Sequence, residues 1–230
     1  MAVYVTGDTH RDVDFGKIKK FKKENPELGK DDYLIITGDF GGVWNEKTID
    51  KDLKPYEELG FNVLFVDGNH ENFPLLNSFP CEIWNGGKIH RIRDNIIHLM
   101  RGQIFNLEGK TFFTFGGATS LDKCFRREGI SWWSEEVPSE DEFEEAKENL
   151  KAAGNKVDYI ITHSCDAKSS DIILFDGYHS YHKIYPENIM LTYFEENTDY
   201  LHWYFGHFHL DMEIGEKKTL LYQNILKILP

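Results

Sequence analysis

Five runs rich in β-branched and aromatic residues recur along this chain, and each stops at an aspartate, asparagine or histidine. Residues 2–6 lead into Gly7-Asp8-Thr9-His10, and residues 33–37 into Gly38-Asp39. Residues 62–66 lead through Asp67 into Gly68-Asn69-His70-Glu71. Residues 158–162 end at His163, and residues 201–205 at Gly206-His207-Phe208-His209. In open α/β sheets, ligands bind beyond the carboxyl ends of the strands, where side chains from several strands converge. Five such endings in one chain predict a single polar pocket.

The intervening segments support an α/β class. Phe15, Ile18 and Phe21 recur at helical spacing after the first run. Ile49, Leu53, Tyr56 and Leu59 do so after the second, and Gly60 offers a helix stop. That alternation predicts parallel strands joined by helical crossovers. In the middle, residues 95–99, 103–107 and 110–115 are short runs split by Arg101-Gly102 and Glu108-Gly109, which reads as a meander of hairpins. Ser139 and Glu142 form a capping box ahead of Phe143, Ala146 and Leu150, and Gly154 ends that helix. Residues 164–190 show no clear period and read as loop with a short helix near the end. Residues 200–206, 210–214 and 219–224 read as the last strands. There is no internal repeat or low-complexity linker, so residues 1–230 are expected to form one domain.

Composition narrows the function. A net charge of −13 repels long polyanions and argues against a dedicated nucleic-acid binder. Cys81, Cys124 and Cys165 are widely spaced and odd in number, which fits a reducing compartment. No apolar run approaches the ~20 residues needed to cross a bilayer. The expectation is a soluble, cytoplasmic protein with no membrane partner.

The candidate ligands are Asp8, His10, Asp39, Asn69, His163, His207 and His209. All are oxygen or imidazole donors, a set suited to Mn²⁺, Fe, Zn²⁺ or Ni²⁺ and too rich in imidazole for Ca²⁺ or Mg²⁺. In D-x-H and H-x-H, alternate residues of an extended segment project to one side. Seven donors are too many for one tetrahedral ion, and two ions sharing a carboxylate would use them all.

These blocks, in the order D-x-H, G-D, G-N-H-[DE], H, G-H-x-H, resemble the calcineurin-like metallophosphoesterase family over nearly the whole chain. The resemblance implies a four-layer α/β/β/α sandwich with two mixed sheets. It implies that Asp8, His10 and His209 hold one metal, that Asn69, His163 and His207 hold the other, and that Asp39 bridges them. His70 would then be the catalytic residue contacting the phosphoryl group or leaving oxygen. The activity implied is hydrolysis of a phosphomonoester or small phosphodiester by a hydroxide bridging two divalent or trivalent ions, manganese first among them. One departure matters: many members carry an aspartate where this chain has Gly42, so His70 lacks its usual carboxylate partner, with Glu71 a weak substitute.

Arg126 and Arg127, after Gly116-Gly117-Ala118-Thr119-Ser120, are candidate substrate contacts, since arginine grips phosphate bidentately. Trp132 and Trp133 read as packing residues that could also face a base. Lys17, Lys19, Lys20, Lys22 and Lys23 read as the solvated face of the first helix. His90, His98 and His202 carry no motif context, and His179 and His182 sit in an aromatic loop that could border the pocket. The alternatives left open are a nuclease or cyclic-nucleotide phosphodiesterase, and a non-catalytic metal-binding interaction scaffold.

Overall fold

A computed structural model describes residues 1–174 and 183–230. In chain order the elements begin with β1 (Val3–Thr6), α1 (Gly16–Glu24), β2 (Tyr33–Ile36), α2 (Ile49–Glu57), β3 (Asn62–Phe65) and the short α3 (Phe73–Leu76). The middle supplies β4 (Cys81–Trp84), β5 (Gly87–Arg93), β6 (Ile96–Leu99), β7 (Gln103–Leu107), β8 (Lys110–Phe115) and α4 (Glu140–Ala152). The last part supplies β9 (Tyr159–Thr162), α5 (Ala167–Leu174), α6 (Pro186–Asn197), β10 (His202–Phe205), β11 (Met212–Ile214), β12 (Lys218–Leu220) and β13 (Ile225–Leu229).

These strands form two mixed sheets. One runs β13-β1-β2-β3-β6-β5-β4, with β1, β2, β3 and β6 parallel; the other runs β11-β12-β10-β9-β8-β7, with β12, β10, β9 and β8 parallel. The period-2 alternation of each strand assigns its two faces to two different cores. Tyr4, Leu34, Ile36, Val63 and Phe65 pack under α1 and α2 with Ile18, Phe21, Leu53 and Tyr56. Val3, Val5, Ile35 and Leu64 point the other way, onto Phe112, Ile161 and Tyr204 of the second sheet. Beyond that sheet, Phe113, Phe115, Ile160, Trp203 and Phe205 pack against Ala146, Leu150, Leu191 and Phe194 of α4 and α6. Three cores separating four layers make this an α/β/β/α sandwich in a single domain.

Several sequence expectations are corrected. The meander does not exist as such, because β6 lies beside β3 in the first sheet while β7 pairs with β8 in the second. The chain changes sheets at Arg101-Gly102, where Gly102 adopts a φ of +72°. Short apolar runs carry no sign of which sheet they join. Residues 164–190 hold more helix than expected: α5 and the first turn of α6 occupy much of that stretch. In α6, buried Glu187 and Asn188 interrupt the apolar pattern. The strand expected over 219–224 stops at Leu220, and a separate β13 pairs antiparallel with β1. The capping box is as expected, with Glu142 N–H donating to Ser139 Oγ and Ser139 N–H donating to the Glu142 carboxylate. His179 and His182 lie outside the described residues. No helix among the described residues is long and apolar enough to cross a membrane.

Candidate metal centre

β1, β2, β3, β9 and β10 all end on the same side of the sandwich. There the chain turns sharply enough that His10, Asp39, His207 and His209 adopt positive φ values of 42°, 47°, 74° and 52°. Non-glycine residues rarely hold that conformation, and such strain gathers at functional sites. Close approach is a second constraint: a Cβ on Gly68 would lie 2.1 Å from Asp39 Oδ1, so the loop after β3 can lie against the carboxylate only as glycine.

Asp8 and Asp39 are both buried. One oxygen of each is fixed by a backbone amide: His207 N–H donates to Asp8 Oδ1 at 3.1 Å, and His70 N–H to Asp39 Oδ1 at 2.7 Å. The other oxygens turn into the pocket. Asp39 Oδ2 lies 3.2 Å from His10 Nε2. Asp8 Oδ2 lies 3.2 Å from His209 Nε2 but off the line a hydrogen bond requires, and it is left without a partner. An orphaned buried carboxylate oxygen is costly unless a cation supplies what the protein does not. Asp8, His10, Asp39 and His209 offer ligand atoms all within 4.8 Å of one another. The orphan oxygen and the mixed oxygen–imidazole donors both fit a borderline divalent ion.

On the other side of Asp39, His163 Nε2 lies 3.4 Å from Asp39 Oδ1 and 3.0 Å from Asn69 Oδ1. The His207 ring stands edge-on to His163, with centroids 5.0 Å apart. Two imidazoles are oriented from behind. His163 Nδ1 is 2.8 Å from the Thr37 carbonyl, and His10 Nδ1 is 2.8 Å from Asp14 Oδ2. Donation from Nδ1 leaves Nε2 facing Asp39, the arrangement that second-layer acceptors impose on metal-ligating histidines. Asn69 is oriented too: its Nδ2 donates to Ser120 Oγ, which donates to the buried Glu136 carboxylate at 2.6 Å.

The electrostatics favour cations. Burial alone would push the His10 and His163 imidazoles down. The negative charge and hydrogen bonding of Asp39 outweigh it and raise them to about 9 and about 10, with Asp14 and Asp8 adding to His10 and Asp8 to His163. Burial would raise Asp39, but the charge of His163 and hydrogen bonds from His10 and His163 hold it well below the carboxylate range. His207 behaves oppositely. Burial and the neighbouring His163 charge lower it to about 4, so it is a neutral imidazole at pH 7.

His70 sits at the edge, its Nε2 4.0 Å from Asp39 Oδ2. Glu71 is no substitute partner for it. The Glu71 carboxylate is buried and accepts the Phe40 and Gly41 amides, so it shapes the loop after β2. Nor could a carboxylate stand at position 42, where the Phe40 ring and Leu53 fill the space. The side chain found at His70 is Arg126, whose Nη1 and Nη2 lie 2.9 and 3.2 Å from the two ring nitrogens. Burial lowers the His70 imidazole, the Asp39 charge opposes that, and Arg126 adds to the lowering. Arg127 is exposed, and its backbone N–H bonds to Ser131 Oγ. Trp133 is buried and packs edge-on against Trp44, whereas Trp132 is half-buried with Lys123 over its ring. Beside the centre a cleft of about 150 Å³ is lined by His10, Arg11, Gly41, Trp44 and His70.

Sequence reading missed Asp14, Ser120, Glu136, Arg11 and Trp44. Only Asp14 left a signal, standing four residues after His10. Lys17 is also corrected. Instead of lying on a solvated helix face, its ammonium donates to the carbonyls of Gly7, Asp8 and Tyr222.

Among solved structures, one matches with a TM-score of 0.51 and 12% identity, covering 99% of this chain and 95% of its own. A protein described as a 5′-nucleotidase from Staphylococcus aureus matches with a TM-score of 0.49 and 15% identity over 96% of this chain. The chain spans about half the length of that protein, 48%. Phosphopantetheinyl hydrolase from Mycobacterium tuberculosis gives a TM-score of 0.44 at 16% identity, over 100% of this chain and 96% of its own. No curated protein sequence matches the chain. The profile of the calcineurin-like phosphoesterases matches residues 1–211, across the two sheets and all five strand-end motifs, and the chain belongs to that family.

Proposed function

We propose that this protein is a phosphoesterase with a two-ion centre that hydrolyses a phosphomonoester or small phosphodiester. The observation that carries this reading is the pair of buried carboxylates, Asp8 and Asp39, each with one oxygen tied to a backbone amide and the other turned toward imidazoles. In this reading Asp8, His10 and His209 hold one ion, Asn69, His163 and His207 the other, and Asp39 serves both. Manganese is the first candidate, ahead of iron, zinc and nickel. Such ions supply Lewis acidity toward phosphoryl oxygens and lower the pKa of water they bind.

The chain's own residues do the rest. Arg126 places a guanidinium against His70 at the mouth of the pocket, where a phosphoryl oxygen can take its N–H groups. Arg127, exposed on the same loop, is a second proposed contact. His70, lowered by burial, is a neutral imidazole at pH 7 and can hand an N–H hydrogen bond to the departing oxygen. Trp44 offers the cleft a flat apolar wall for the alcohol portion of the ester. The net charge of −13 favours small substrates over long nucleic acid. The described cysteines are all unpaired, which supports a cytoplasmic setting.

Two measurements test the reading: metal content of the purified protein, and turnover of an aryl phosphate against a bis-aryl phosphodiester. Two ions with turnover of the monoester is the expected result. Preference for the diester would move the assignment to a phosphodiesterase, the reading favoured by the Trp44 wall if a base stacks there. Bound ions with no turnover of either ester would leave the interaction scaffold. His70→Ala is expected to lower kcat by about 10²-fold with metal content unchanged, the usual scale for a positioned proton donor. Loss of an ion in that variant would make His70 a ligand instead.

A further inference from the structure

We infer that Tyr222 is a positioning residue of the metal centre, holding two of its ligands, His10 and His209, from a segment beyond the family-matched region; this rests on the ligand reading above. Tyr222 lies between β12 and β13, past residue 211 where the family match ends. Its ring stacks on His209 with centroids 4.7 Å apart and planes 13° from parallel. His209 is the ligand most in need of such support. Its side chain is 48% exposed, and its backbone holds a positive φ.

The same residue reaches the second ligand through its hydroxyl. Tyr222 Oη donates to Asp14 Oδ1 at 2.9 Å, and Asp14 Oδ2 faces His10 Nδ1 at 2.8 Å. A phenol that orients the carboxylate behind a histidine fixes which imidazole nitrogen points inward. One side chain therefore limits the rotamers of His209 by stacking and the tautomer of His10 by hydrogen bonding.

Its own position is set by backbone that carries the ligands. The Asp211 carboxylate, two residues past His209, accepts the N–H groups of Tyr222, Gln223 and Asn224 at 2.9, 3.0 and 3.0 Å. Lys17 Nζ donates both to the Tyr222 carbonyl and to that of Asp8. The turn also lies directly on β1's exit: a Cβ on Gly7 would meet Leu221 O at 2.0 Å and Tyr222 Cα at 2.7 Å. A glycine ahead of Asp8 is thus what lets the 221–222 backbone come close enough to place the ring. Ordering ligands before the ion arrives removes part of the entropic cost of binding it.

The test is Mn²⁺ titration followed by electron paramagnetic resonance on wild type, Tyr222→Phe, Tyr222→Leu and Asp14→Asn, with thermal unfolding of each metal-free protein alongside. Tyr222→Phe keeps the stack and loses the hydroxyl; it is expected to weaken one ion by about tenfold, and Tyr222→Leu by more, up to about 100-fold, the range seen when such outer partners are removed. Asp14→Asn should match Tyr222→Phe. At saturating Mn²⁺, kcat should return toward wild type while the Mn²⁺ needed for half-activity rises. Wild-type affinity in all three variants overturns the inference, and so does a loss of affinity seen only where the metal-free fold is also lost. Failure of the wild type itself to take up Mn²⁺ would instead remove the ligand reading, and this inference with it.

Discussion

Asp39→Asn is expected to lower turnover by about 10³-fold or more, since it removes the charge around which the whole pocket is organised. The substitution is nearly isosteric. The His70 N–H can still find the side-chain oxygen, so loss of activity through gross misfolding is not expected. What disappears is a buried negative charge lying 3.2 Å from His10 Nε2 and 3.4 Å from His163 Nε2. Metal content should fall with it, by at least one ion per chain. Near-normal turnover with full metal content would remove Asp39 from its proposed role. A second measurement needs no metal. In the metal-free protein the raised imidazoles, about 9 for His10 and about 10 for His163, mean that the folded chain binds protons there more tightly than the unfolded chain. That stabilisation is complete below the ordinary histidine value of about 6.5 and is lost as pH rises through the folded values. Metal-free wild type and Asp39→Asn should therefore differ most in stability between pH ~3.9 and ~6.5, less below that as the depressed Asp39 carboxylate loses its contribution, and least above pH ~10.

The parts of this centre that were legible in the sequence are those written into local backbone chemistry. An alternating strand such as Val3-Tyr4-Val5 must end, and the turn that ends it shows in Gly7-Asp8 or Gly38-Asp39 whatever the rest of the chain does. Five such endings pointed to convergence, and the sandwich brings them to one side. Residues whose role depends on tertiary placement gave no such sign. Ser120 and Glu136 orient Asn69, yet Ser120 is an ordinary loop residue in the sequence. Glu136 belongs to the acidic stretch 135–148 that reads as an exposed helix face, whereas its carboxylate is buried. Glu71 adjoins His70 in sequence but turns away from it to hold the Phe40 and Gly41 amides. Lys17 shares its helix with four lysines read as solvated, and only the approach of the 221–222 turn gives its ammonium three carbonyls. The change of sheet at Arg101-Gly102 was hidden for the same reason. A hairpin and a crossing between sheets use similar turn residues, and only the partner strands tell them apart.

Arg101→Met is expected to destabilise the protein by about 3–5 kcal/mol at pH 7, the scale for leaving one member of a buried ion pair alone. Arg101 stands where the chain crosses from the first sheet to the second, and its Nε and Nη2 donate to Asp67 Oδ2 at 2.9 and 2.6 Å. Nη1 reaches Glu142 on α4, and Nη2 also reaches the Glu135 carbonyl, so one guanidinium ties β3's exit to the helical layer beyond the second sheet. Asp67 is 2% exposed. Burial would raise its carboxyl, but the Arg101 charge and His98, with Nε2 3.2 Å away, hold it far below the usual carboxylate range. A depressed folded value gives stability that is present above the unfolded value of ~3.9 and lost as pH falls through the folded one. In Arg101→Met the sign reverses: burial with no guanidinium raises Asp67, so the penalty is greatest near neutrality and fades as acid neutralises the carboxylate. Urea unfolding of both proteins from pH 7 to pH 4 should show the gap closing toward the acid end. A gap constant across that range would mean that lost packing over Phe73, whose ring lies 5.3 Å below the guanidinium, outweighs the charge. Adding Asp67→Leu to Arg101→Met should recover most of the loss, since replacing both members of a buried pair is far milder than removing one. Because Asp67 immediately precedes Gly68-Asn69, the single variant should also loosen the ion that Asn69 is proposed to hold, and the double variant should restore the fold more fully than that ion.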